Sequence, residues 1–175
     1  MKKEKSAYLT LTAVIAALYA ALTCAAAFMA FGPVQLRLSE ALCVLPAFTP
    51  AGIGGVALGC FLAALVTGAP LPDLIFGTLA TLLGALGTRA LRRKKHLCLL
   101  PPVLTNALIL PFVFRYAYGM GGRLSWYFLC IAAGEALSAG GLGSLLARII
   151  VKNDYLRRLF SEAGKSGDSR DIIEK

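Results

Sequence analysis

Charge is the first shortage in this chain. Only 15% of its 175 residues are Asp, Glu, Lys or Arg, where soluble domains carry about 25%. Acids are scarcer still: between Ser6 and Lys152 there are only Glu40, Asp73 and Glu135. Histidine occurs once, as His96, beside a run of basic residues where it reads as a headgroup-level polar side chain. There is no G-x-x-x-x-G-K-[ST] loop, so ATP hydrolysis by that route is excluded. HExxH, GxSxG and CxxC are absent, and no Cys/His spacing suits a metal. The five cysteines, Cys24, Cys43, Cys60, Cys98 and Cys130, are odd in number and read as small core residues. A disordered chain is excluded, and a soluble globular enzyme is disfavoured.

What the chain has is apolar length. Hydrophobic residues make up 58% of it, and the mean hydropathy is +0.72. The net charge of +9 would suggest nucleic acid in a soluble protein. Here the cations cluster at the ends of apolar runs: Lys2, Lys3 and Lys5; Arg89 and Arg92–Lys95; Arg148, Lys152, Arg157 and Arg158. That spacing fits membrane topogenesis, with no nucleic-acid partner. Met1–Ser6 and the apolar residues after it resemble a signal peptide, but the run is too long, and an uncleaved first helix is expected.

A membrane-crossing helix needs about 20 apolar residues. Tyr8–Phe31, Ala51–Gly68, Leu74–Leu91, Leu97–Tyr118 and Trp126–Ile150 meet that length or approach it. Ser39–Phe48 is apolar but short, with Pro46 inside it and Pro50 just beyond. Parity decides how to count it. With the N-terminal lysines cytoplasmic, the Arg89–Lys95 cluster is cytoplasmic only after an even number of crossings. Counting Ser39–Phe48 separately gives six spans, 15 cations inside and three (Arg37, Arg115, Arg123) outside. The expected fold is therefore an all-α integral membrane protein with six transmembrane helices and both termini cytoplasmic. Its second span is short or irregular, and such backbone needs shielding by protein or a cavity. Residues 1–153 form the membrane domain. Residues 154–175 form a polar cytoplasmic tail, a helix end followed by disorder around Gly164–Ser169. No inverted internal repeat is visible.

Few polar residues lie at membrane depth. Glu135, within Ala132–Ala136, costs about 2.5–3.5 kcal/mol to insert, so a partner, water or ligand must compensate. One bland reading pairs it with Asn106 on the fifth span; either residue is otherwise a candidate for binding a heterocyclic edge. In Val34–Glu40, residues Gln35, Arg37 and Ser39 alternate with apolar ones and would share one side of an extended stretch. Ser39 and Glu40 also suit a helix cap and its dipole, and Asp73 suits an N-cap on the fourth helix. Asp73 lies at the same outer mouth as Arg37. Tyr116, Tyr118, Trp126 and Tyr127 read mainly as an interfacial belt. Alanines recur at Ala13, Ala17, Ala21 and Ala25, a smooth ridge that lets another helix approach closely, within the molecule or from a partner.

Together these features resemble a substrate-binding S component of energy-coupling factor (ECF) transporters, and more specifically the QueT family. The resemblance rests on Val34–Leu42, Leu58–Ala64, Asp73–Thr81 and Gly134–Glu135, and spans roughly residues 5–153. Ala64 stands where the family pattern favours Asn, leaving a polar contact missing or supplied by Thr67. The resemblance implies capture from outside of a queuosine precursor, a 7-deazaguanine such as queuine or its 7-cyano or 7-aminomethyl relative. The implied partners are the transmembrane coupling protein EcfT and two ECF ATPases, which hydrolyse ATP; this chain carries no cofactor. On that expectation Glu135 and Asn106 read the base. Gln35, Arg37, Glu40 and Asp73 surround the mouth, and Ala13, Ala17, Ala21 and Ala25 form the docking face. Another small nutrient as cargo, or a membrane scaffold whose polar residues only glue helices, are the competing readings. An intramembrane enzyme would need a catalytic pair, which Glu135 and Asn106 alone do not provide.

Overall fold

A computed structural model describes residues 2–27, 36–94 and 97–164, and every element among them is helical. Helix α1 is Lys2–Ala25. Helix α2, Leu38–Phe48, is a seven-residue 3-10 segment (Leu38–Val44) ending in one α turn (Leu45–Phe48). Helix α3 is Ala51–Val66. Helix α4 covers 73–90, a π turn at Asp73–Gly77 continuing as Thr78–Ala90. Helix α5 (Leu100–Ala117) ends in a π turn at Val113–Ala117, and α6 (Leu124–Lys152) carries a π segment at Ala136–Leu142. Helix α7, Asp154–Gly164, touches α1, α2 and α6, and its Leu156 and Phe160 join the core beside Tyr8 and Leu11.

Among the described residues, three helices are long and apolar enough to cross a membrane: Lys5–Ala25, Leu100–Ala117 and Leu124–Lys152. Helices α2 and α3 are shorter apolar pieces. The separation of α2 from α3 matches the sequence expectation, and its physical cause is proline. Pro46 lacks an N–H and sits in the first turn of Leu45–Phe48. The chain is extended at Thr49, and Pro50 then opens α3.

Helix α2 is shielded as an irregular element at depth must be. It touches α1, α3, α4 and α6, and nearly every residue from Ser39 to Ala47 is buried. Its terminal carbonyls are met from the side: Arg89 of α4 donates to Pro46 O and Ala47 O, both at 3.4 Å. A cation among orphan carbonyls is the favourable pairing for a helix C-terminus.

Helices α1 and α3 pack most closely. Gly55 and Gly59 lie four apart on α3 and face Ile15 and Tyr19 of α1. A Cβ at Gly55 would sit 2.6 Å from Ile15 Cγ2, and one at Gly59 2.5 Å from Tyr19 Cβ. In lipid, where apolar burial does not drive helices together, such backbone approach gives the dispersion contact that does. It presses the Tyr19 face of α1 inward. The opposite face presents Ala13, Ala17, Ala21 and Ala25 outward, all exposed.

A candidate binding site with two kinds of buried polar group

The fold gathers five of the six expected site residues. Arg37, at the start of α2, is buried within electrostatic reach of Glu40, Glu135 and Asp73. Asn106 of α5 is the polar neighbour of Glu135 on α6. Arg37 had been counted among the outer-loop cations. Its side chain is buried in the protein, 5% exposed. Gln35 lies outside the described residues.

Glu40 is met by the protein. Tyr19 Oη donates to its Oε1, and Cys43 Sγ donates to Oε2 at 2.9 Å. The capping role expected of Ser39 is not what the chain does. The residue preceding α2 is Arg37, with no side-chain cap. Ser39 Oγ instead accepts from Thr23 Oγ1 of α1 at 2.7 Å, and Thr23 itself lies one turn beyond Tyr19. Sequence reading missed Tyr19 and Thr23, although both fall on the face opposite the alanine ridge.

Glu135 and Asn106 behave differently. They are 1% and 0% exposed. Neither carboxyl oxygen of Glu135 nor either amide atom of Asn106 has a hydrogen-bond partner among the described residues. Asn106 stands near enough to act on Glu135 electrostatically but outside hydrogen-bond geometry, so the bland pairing of the two is not made as a hydrogen bond. Ser138 Oγ, three residues after Glu135, is also buried without a partner. That spacing on one helix was readable in the sequence. Buried polar groups are rarely left this way, because the lost water contacts are not replaced.

Asp73 is likewise not a cap. The residue preceding its π turn is Pro72, with no side-chain cap bond, and Asp73 Oδ1 is buried with no hydrogen-bond partner among the described residues. Nearby, the covered hydroxyl of Tyr118 lies just beyond α5. Burial and the Asp73 carboxylate push its phenol up to about 12, so it stays protonated and able to donate. Of the expected aromatic belt, Tyr116 and Trp126 are exposed. Tyr127 is buried, packs edge-on to Phe114 and donates to Gly121 O.

A hollow beside Arg37 is lined by Tyr19, Thr23, Cys60, Ala63, Ala64 and Asp73. Its interior is about 10 Å³, room for one water at most. Ala64 contributes only a methyl to this wall. Thr67 does not replace an amide there, because its hydroxyl donates to Ala63 O at 2.7 Å within its own helix. Three π segments flank these residues: one begins at Asp73, one follows Glu135 and one precedes Tyr118. Such segments turn side chains out of helical register and recur at functional sites.

Comparison with curated proteins and with solved structures finds no match. The family described as QueT transporter matches residues 9–152. That span holds every helix from α2 to α6, α1 from Leu9 onward, and each residue of the buried polar group. The chain therefore belongs to the QueT transporter family, a membrane transport component rather than an enzyme.

Proposed function

We propose that this chain captures a queuosine precursor, a 7-deazaguanine, from outside the cell for ATP-driven uptake. It does so as the S component of an ECF transporter in a prokaryotic plasma membrane. On this reading it crosses the bilayer six times, with both termini and the Arg89–Lys95 cations cytoplasmic. EcfT docks on the exposed ridge of Ala13, Ala17, Ala21 and Ala25, and two partner ATPases hydrolyse ATP, leaving this chain without a cofactor.

One observation carries the reading: Glu135 and Asn106 are buried together, and none of their four polar side-chain atoms has a hydrogen-bond partner among the described residues. A deazaguanine supplies what they lack. Its ring N–H and exocyclic NH₂ point the same way and suit the two oxygens of one carboxylate. Its carbonyl accepts from an amide or from Arg37. Glu40, held by Tyr19 and Cys43, shapes the wall and balances Arg37. Asp73 lies at the mouth, where a cationic substituent on the base would meet it. A bicyclic base does not fit a hollow of about 10 Å³, so binding opens the bundle around Arg37.

The test is a binding screen of detergent-purified full chain against deazaguanines, guanine and water-soluble vitamins. Saturable binding of a deazaguanine with little response to vitamins is expected. Preference for a vitamin would reassign the cargo. No binding, with no co-purifying ATPase, would leave the scaffold reading. For docking, Ala17→Leu fills the ridge. It is expected to abolish co-purification of EcfT while leaving cargo binding by the isolated chain unchanged.

A further inference from the structure

A second cavity lies at the other end of the bundle, apart from the Arg37 hollow. Asp73 and Ala90 bound α4 and are about 25 Å apart at 1.5 Å per residue. The second cavity opens beyond Ala90, between the end of α2, the segment after α4 and the last turns of α6. Its volume is about 320 Å³, within the size range of small-molecule sites. Phe48, Leu99 and Val151 form apolar walls, and Arg92, Arg148 and Lys152 stand on its rim. No acidic side chain is among the described residues that line it.

We propose that this cavity holds an anionic phospholipid, its phosphate against Arg92, Arg148 and Lys152 and an acyl chain against Phe48, Leu99 and Val151. Two features favour a lipid over a small soluble anion. The walls are mostly hydrocarbon, whereas a free phosphate has no use for them. The outer face of α6 beside the rim carries exposed Leu145 and Ile149, so a chain leaving the cavity runs onto apolar surface. Arg148 and Lys152 are four residues apart, with Ser144 one turn earlier, so one strip of α6 carries both cations. Arg89 fixes the floor by holding the Pro46 and Ala47 carbonyls. Basic pockets between helices are suited to acidic headgroups, each cation near the surface strengthening attraction about fivefold. This site is independent of the deazaguanine reading.

Native mass spectrometry of the full chain, offered equimolar phosphatidylglycerol and phosphatidylcholine, tests it. A phosphatidylglycerol adduct should predominate. Arg148→Gln and Lys152→Gln should each weaken it about fivefold. Ala147→Phe, which fills the cavity and keeps every charge, should remove it, with Ala147→Leu as the milder variant if the first loses helix content. Equal retention of both lipids would overturn the proposal. So would an adduct indifferent to filling the cavity, which would mean surface attraction alone. Displacement of the lipid by millimolar inorganic phosphate would show a phosphate site and overturn the lipid assignment.

Discussion

Glu40 and Glu135 are the same side chain at similar burial, 0% and 1% exposed, beside the same arginine, yet they live differently. Around Glu40 the protein is complete. Tyr19 and Cys43 occupy both carboxyl oxygens, Thr23 and Ser39 pair with each other, and Gly55 and Gly59 bring α1 and α3 together behind them. Around Glu135 the described residues leave hydrogen bonds unmade, its own carboxyl oxygens included. Asn106, Ser138 and Asp73 keep unpartnered atoms, and π turns interrupt the helices that carry them. One side is built as structure; on the proposed reading, the other keeps its hydrogen-bonding capacity for an incoming molecule. An acid left unpartnered at depth is costly, and a cargo that satisfies it recovers that cost on binding.

The largest expected effect separates these two acids by what each loses. Glu135→Gln keeps the shape and removes one charge-assisted acceptor. Deazaguanine binding should weaken about 10- to 100-fold, while the thermal midpoint holds or rises, since no hydrogen bond among the described residues is broken. Titration calorimetry and a thermal melt on the same sample check both. Glu40→Leu should do the converse to stability. It orphans the Tyr19 hydroxyl and the Cys43 thiol, at about 1–3 kcal/mol, and lowers the midpoint by about 5 °C. If the Glu135 variant melts early and the Glu40 variant does not, the contrast is misassigned.

The fold was largely legible, because hydropathy reports what a helix meets along its length. The apolar runs at Ala51–Gly68 and Leu97–Tyr118 reappear as Ala51–Val66 and Leu100–Ala117. The short α2 was separable because cation parity and two prolines marked it. The site residues were legible as rare polar positions, since an acid in an apolar run is conspicuous. Their partners were not. Ser39 looks like a cap because Ser, Asp and Asn favour caps locally, and nothing nearby in sequence reveals that Thr23 has folded beside it. Asp73 failed for the same reason. Tyr19 sits 21 residues from Glu40, among alanines that draw attention to the wrong face. The π turns leave no composition mark, so the register of Glu135 and Asp73 comes only from the structure.

Asn106 offers a smaller and sharper cut. Asn106→Leu replaces an unpartnered amide by an apolar group of similar size. Stability should hold or improve, and binding should fall about five- to tenfold, the loss of one neutral hydrogen bond. A destabilised Asn106→Leu would mean the amide is bonded by protein after all, moving it to the Glu40 side of the contrast.

The smallest effect is a matter of sign at Tyr118. Its phenol, covered and beside Asp73, is pushed up to about 12, whereas an unfolded tyrosine titrates near 10. Between those values the folded chain keeps a proton that the unfolded chain has lost. Tyr118 therefore supports folding fully below about pH 10 and progressively less as pH rises through about 12. Tyr118→Phe should flatten that part of the alkaline fall in thermal midpoint, by about 1 °C or less, and leave neutral-pH stability unchanged. Asp73→Asn should bring the phenol titration, followed by absorbance near 295 nm, to lower pH by removing the carboxylate that opposes ionisation. If Asp73→Asn leaves the titration where it was, Asp73 does not face Tyr118. The mouth of the unsatisfied region would then be built from Arg37 and Asp73 alone.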